Sequence, residues 1–140
     1  MNEKNQSSNK LPISGPLPQP ESVQEAWDYL FADLIPAPKH IEEIEFEVTE
    51  FTSICPRTGQ PDFGTITITY KPSWSCFESK ALKVYLWAFR NEGAFCESLA
   101  SRIAHDLLIA GQPEWIRVTV KSNPRGGIGL QATCTRRLEE

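Results

Sequence analysis

The period of the hydrophobic positions changes three times along the chain, and each change marks an element boundary. In "SVQEAWDYLF", Ala26, Tyr29 and Leu30 recur at helical intervals, and Ser22 with Glu25 has the spacing of a capping box. A short helix is predicted there, ending before the loop that carries Pro36 and Pro38. In "IEFEVTEF" the apolar Ile44, Phe46 and Val48 alternate with Glu45, Glu47 and Thr49; in "GTITITY", Ile66, Ile68 and Tyr70 alternate with Thr65, Thr67 and Thr69. Period-two alternation of β-branched residues predicts two strands, each with one wet face. The period then returns to helical. Leu82, Tyr85, Leu86 and Phe89 stand at i, i+3, i+4 and i+7 in "ESKALKVYLWAFRN", with Ser79 as the expected N-cap. Phe95, Leu99, Ile103 and Leu107 form the expected buried stripe of a second helix, with Gly111 as its stop signal. Alternation resumes in "WIRVTV" and "IGLQATC", joined by the turn-forming "KSNPRGG".

The order strand, strand, helix, helix, strand, strand predicts an α+β fold. Two hairpins flank a helix pair, giving a four-stranded antiparallel sheet (ββααββ) with both helices on one face. The other face, rich in Thr, Glu and Gln, is left for water or another subunit. The "GGIG" stretch opens a strand rather than a helix, which excludes a dinucleotide-binding βαβ unit.

Length and charge narrow the picture. The 140 residues, 40% of them hydrophobic, suffice for a single domain over residues 21–140. Residues 1–20, rich in Asn, Ser, Gln and Pro, read as a disordered N-terminal tail. A formal net charge of -4 argues against a general nucleic-acid binder. No apolar run approaches the roughly 20 residues of a membrane span. The N-terminus lacks the apolar segment of a secretory signal, so a cytoplasmic location is expected. Cys55, Cys76, Cys96 and Cys134 are widely spaced without a C-x-x-C pair, and only His40 and His105 accompany them. Reduced thiols and no metal site are expected.

Within this frame some residues are candidates for chemistry. Cys55 and Asp62 flank the turn in "FTSICPRTGQPDFGTITITY". A cysteine at a strand end among polar residues suits a nucleophile, and a nearby carboxylate suits proton transfer. An ionised aspartate by itself would raise the thiol's pKa, so a cation or substrate dipole is expected beside it. The residues equally permit an inert thiol and a plain turn aspartate. Lys80 and Lys83 share a face in the first turns of their helix, against its dipole, as two cations awaiting an anion would. Arg125, on the Gly-rich turn, is a third cation able to join them. Glu97, near Phe95, has the makings of a ligand for a guanine-like edge, the aromatic ring packing on the base. Its simple alternative is complementing the helix dipole, and Glu78 has the same helix-start alternative.

Together, "FTSICPRTGQPDFGTI", "ESKALKVYLWAFRN", "FCE" and "NPRGG", in this order, resemble the NADPH-dependent 7-cyano-7-deazaguanine nitrile reductases of queuosine biosynthesis, a tRNA modification pathway, in their single-domain form. The resemblance covers roughly residues 40 to 130. It implies the tunnelling fold, with subunits assembled into rings and sites formed between neighbours. It implies that Cys55 adds to the nitrile carbon as a covalent thioimide and that Asp62 donates a proton. Two NADPH would then carry the nitrile to the 7-aminomethyl amine. Phe77, Glu78 and Ser79, with Phe95, Cys96 and Glu97, resemble the substrate-binding elements. Lys80, Lys83 and Arg125 resemble the cofactor-phosphate contacts. At one position the chain departs from the family, which has histidine where Cys96 stands; imidazole relays protons near neutral pH far better than a thiol. Cys96 is also a second thiol open to electrophiles. The rival readings are an amidine-forming relative on the same fold and a non-catalytic purine- or pterin-binding ring protein.

Overall fold

The computed structural model describes residues 19–139. The tail expected over residues 1–20 lies outside them except for Gln19 and Pro20, and Pro20 is buried. Helix α1 spans Val23–Ala32 and short strand β1 spans Ile35–Pro36. Strands β2 (Ile44–Ile54) and β3 (Pro61–Lys71) follow, then the short β4 (Ser75–Cys76). Helix α2 (Ser79–Trp87) continues into a 3-10 turn, Ala88–Asn91, and helix α3 runs from Cys96 to Gly111. Strands β5 (Trp115–Arg125) and β6 (Ile128–Arg137) complete the fold.

The main sheet has the order β2-β3-β5-β6, antiparallel throughout, as the alternation predicts. Ile66, Ile68, Tyr70, Ile116, Val118 and Val120 are buried under the helices. Thr65, Thr67, Thr119 and Thr133 point the other way, and the hydroxyls of Thr119 and Thr133 meet at 3.0 Å. Helices α2 and α3 lie over the apolar face as expected, and the short helix α1 packs on both of them. Asp106 on α3 ties them together: its carboxylate accepts from the Tyr85 hydroxyl at 2.7 Å and its backbone carbonyl from the Trp27 indole at 2.8 Å. Such half-buried polar links fix helix placement where apolar packing alone tolerates sliding.

Several local expectations are corrected. Glu78, not Ser79, caps α2: its two carboxylate oxygens accept from the amides of Lys80 and Ala81 at 3.0 and 2.9 Å. A carboxylate satisfies two orphan donors where a serine hydroxyl satisfies one. Phe95 is not part of the buried stripe; it precedes α3 and is 50% exposed. The stop of α3 is Gln112, in the left-handed conformation, while Gly111 still belongs to the helix. Glycine is needed at 111 for space, since a Cβ there would lie 2.7 Å from the Phe77 ring. The loop expected around Pro36 is partly strand, with Ile35 opposite Cys76. The β5–β6 connection is also tighter than "KSNPRGG" suggests. Strand β5 continues through Arg125 over a register shift, leaving only Gly126 and Gly127, both at positive φ, to turn the chain.

Gly64 lies on β3 opposite Ser122 of β5, and a Cβ there would fall 2.4 Å from the Lys121 backbone oxygen. Gly64→Ala is therefore expected to cost about 2 kcal/mol or more through overpacking against backbone, read as a lower urea midpoint with an unchanged slope.

Candidate active site

The β2–β3 turn builds the nucleophile's surroundings. Cys55 donates its N–H to the Gln60 carbonyl at 2.8 Å, and its own carbonyl accepts from Gly59 N–H at 2.9 Å. Gly59 adopts the positive φ of 72° that closes the loop. This folding-back aims the Thr58 hydroxyl and the N–H groups of Thr58 and Arg57 at the Cys55 sulfur. Hydrogen bonds to the charged form favour it, and together they hold the thiol below its ordinary value. The desolvation and the Asp62 charge that oppose them are weaker. The expected cation is present as well: Arg125 pairs with Asp62 through one guanidinium nitrogen and donates to the Gln60 side chain through the other at 2.8 Å.

The segment before α3 is pinned to the same place. Ile54 donates to the Glu92 carbonyl at 2.9 Å and accepts from Ala94 N–H at 3.2 Å, a parallel bridge centred on Gly93. Phe95, Cys96 and Glu97 thus follow directly beside the end of β2. Phe95 and Glu97 are exposed there, and so is Phe63, beside Asp62. The Cys96 thiol instead turns inward and donates to the Val120 carbonyl at 3.2 Å. Burial, then the Glu97 charge, pushes its pKa up, and Asp62 adds a smaller push, which places Cys96 within electrostatic reach of the Cys55–Asp62 turn. Burial raises Cys76 too. The four cysteines are free thiols, and among the described residues no group of three or more His, Cys, Asp or Glu side chains is gathered as a metal site.

The remaining expected residues lie elsewhere in the chain. Phe77 donates its N–H to the Tyr70 hydroxyl at 3.1 Å and packs against that ring, near the opposite end of β3. Asp62 and Tyr70 are eight residues apart along the strand, about 27 Å at the usual rise. Glu78 and Ser79 sit with Phe77, at the start of α2. The Glu78 carboxyl is lowered: burial pushes it up, and the amides of Lys80 and Ala81 with the Lys80 charge outweigh that. Lys83 and Ser79 line a cavity of about 800 Å³ between α2 and the outer edge of β2, where Arg90, Glu47 and Glu50 also face. Arg125 does not join the lysines within one chain; the β5–β6 turn carries it to the cysteine end instead. Thr58 and Gln60 were not singled out by sequence reasoning. Their only signal is their position inside the turn between Cys55 and Asp62.

The four-stranded antiparallel sheet with helices over one face is an α+β fold of the tunnelling-fold class. The crystal structure titled "archaeosine synthase QueF-Like in the apo form" shares this fold, with a TM-score of 0.65 at 21% identity, covering 69% of this chain and 95% of that one. The family model described as "QueF-like protein" matches residues 61–140. Two curated relatives carry the name NADPH-dependent 7-cyano-7-deazaguanine reductase. The Anaeromyxobacter sp. (strain K) protein is 52% identical over 98 residues, 70% of this chain and 80% of its own. The Thiobacillus denitrificans protein is 48% identical over 104 residues, 74% of this chain and 75% of its own. The chain belongs to the QueF-like family.

Two expectations follow for the thiols. Iodoacetamide at neutral pH is expected to alkylate Cys55 well before Cys76 or Cys96, as peptide mass spectrometry would read. Removing the largest of the lowering contacts, in Thr58→Ala, is expected to move the pH midpoint of Cys55 alkylation upward, toward that of an ordinary thiol. An unmoved midpoint would mean that the hydroxyl does not support the thiolate.

Proposed function

We propose that the chain reduces the nitrile of 7-cyano-7-deazaguanine to the 7-aminomethyl group by way of a thioimide on Cys55, as a step in queuosine biosynthesis. The curated relatives, named NADPH-dependent reductases, make it an oxidoreductase with NADPH as its reductant. The observation that carries the covalent reading is the turn itself, which holds the Cys55 thiol down while Cys76 and Cys96 are held up. Only one of these three sulfurs is prepared as a nucleophile.

The chain's own groups suit the addition. As the Cys55 sulfur bonds to the nitrile carbon, its proton passes to Asp62 and from there to the nitrile nitrogen, so the carboxylate acts first as base and then as acid. The exposed Phe95 ring offers a platform for a flat heterocycle, and the Glu97 carboxylate can accept two N–H bonds from a guanine-like edge. Cys96, committed to the Val120 carbonyl, does not replace a histidine proton relay; that duty falls to Asp62 or solvent.

The cavity beside α2 has the size of a ligand pocket and carries Lys83 and Ser79 on one wall, which suits a phosphate-bearing cofactor. NADPH would supply the hydride. Lys83, with Lys80 nearby, would hold its phosphates. Phe77, Glu78 and Ser79 are too far along the sheet from Cys55 to meet the same substrate molecule within one chain. Their role is supplied by a neighbouring copy in a homo-oligomeric ring whose sites lie between subunits. The outer edges of β2 and β6, which pair with no strand among the described residues, are available for that assembly. No helix of the described residues is long and apolar enough to cross a membrane, which is compatible with cytoplasmic work.

Incubation with the nitrile and no NADPH is expected to add the mass of the nitrile to the intact chain. Cys55→Ala is expected to abolish the adduct, and adding NADPH to the wild type to discharge it. A wild-type chain that stays unmodified and oxidises no NADPH in the presence of the nitrile rules the reading out.

A further inference from the structure

The resemblance assigns Arg125 to cofactor phosphate, yet its guanidinium spans the two arms of the cysteine turn. One terminal nitrogen pairs with Asp62 Oδ1, and the other donates to Gln60 Oε1 at 2.8 Å. Gln60 in turn accepts the Cys55 backbone N–H on its carbonyl at 2.8 Å. The fork therefore holds the carboxylate directly and the nucleophile's backbone through one intervening residue. Its mounting is short and defined. Arg125 is the last residue of β5, opposite Ile128, beyond a register shift that follows Ser122 and before a two-glycine turn. A bulge of this kind re-aims a side chain at a strand end.

The Asp62 and Arg125 side chains are 27% and 49% exposed. A half-exposed ion pair contributes little to folding stability. What the fork does supply is geometry, because a planar guanidinium fixes two acceptors relative to each other as a lysine cannot. It also supplies charge. Asp62 opposes ionisation of the Cys55 thiol, and a cation on the carboxylate blunts that opposition.

We propose that Arg125 is the positioning residue of the Cys55–Asp62 pair, acting in the addition step before any reductant is involved. This rests on the nitrile-addition reading above. In that step the S–C bond forms, one π bond of the C≡N group breaks, and the thiol proton reaches the nitrile nitrogen by way of Asp62, with nothing oxidised or reduced. Arg125 keeps Asp62 in place to receive that proton and shields the thiolate from its charge. Two of the guanidinium's five N–H groups are used in this way, so an additional contact to a phosphate is not precluded.

The test separates the two roles by leaving the cofactor out. Adduct formation with the nitrile alone, followed by intact mass, is expected to slow about tenfold in Arg125→Gln. Arg125→Lys is expected to recover part of the loss, and added guanidinium ion to restore rate to Arg125→Ala. Adduct formation at the wild-type rate in Arg125→Gln, with only the KM for NADPH raised, would make Arg125 a cofactor contact and overturn the proposal. Equal loss in all variants without rescue, accompanied by a lowered melting temperature, would reduce it to a structural residue and overturn it too. Alkylation of Cys55 by iodoacetamide gives a second readout that needs no nitrile, and Arg125→Gln is expected to slow it several-fold. If the wild type forms no adduct, the nitrile reading fails, and the alkylation comparison still decides whether Arg125 governs the thiol.

Discussion

Two hydrogen bonds on the backbone of Ile54 hold the site together. Its N–H meets Glu92 and its carbonyl meets Ala94, one residue before the chain turns into Cys55. Through them the segment leading into α3 is laid against the end of β2, and residues some 40 positions from Cys55 in sequence come to lie beside it. Backbone bonds tolerate substitution of the side chains around them, so the arrangement leaves the Phe95 and Glu97 side chains exposed while Cys96 turns inward to Val120. Without that bridge α3 could still pack on β5 and β6, but its N-terminus would have no fixed relation to the cysteine turn.

The electrostatics of this end follow from who donates to whom. Cys55 and Cys96 are the same residue type in one neighbourhood, pushed in opposite directions. Donors from its own turn hold the Cys55 thiol down; burial, then the Glu97 charge, pushes the Cys96 thiol up against the backbone donors it also receives from Ala132 and Ser122. Asp62 disfavours both thiolates, and Arg125 moderates that influence by direct pairing.

Much of the fold was legible because it rests on local periodicity. Every strand of the main sheet was anticipated from alternation, and the stripe Leu99, Ile103 and Leu107 lies buried as spaced. The misreadings fall at element ends. Glu78 displaced Ser79 as the cap because its two carboxylate oxygens accept from two orphan amides, and Gly111 proved to be about room for Phe77 rather than helix termination. Phe95 sits one helical turn before Leu99, but the helix has not begun there, so its side chain is free of the core.

By itself the sequence determined the α+β order, the sheet's two faces, and the pairing of a cysteine with an aspartate across one turn, since all of these depend on spacing over a few residues. It also carried the motifs by which the family resemblance was drawn. Only the tertiary structure decided that Thr58 turns to the Cys55 sulfur and Gln60 to Arg125, that Arg125 reaches Asp62 rather than the lysines, and that Phe77 to Ser79 stand at the far end of the sheet. Those relations are set by strand register, by a bulge and by which end of a strand a loop returns to. Such long-range geometry leaves no periodic trace in the chain.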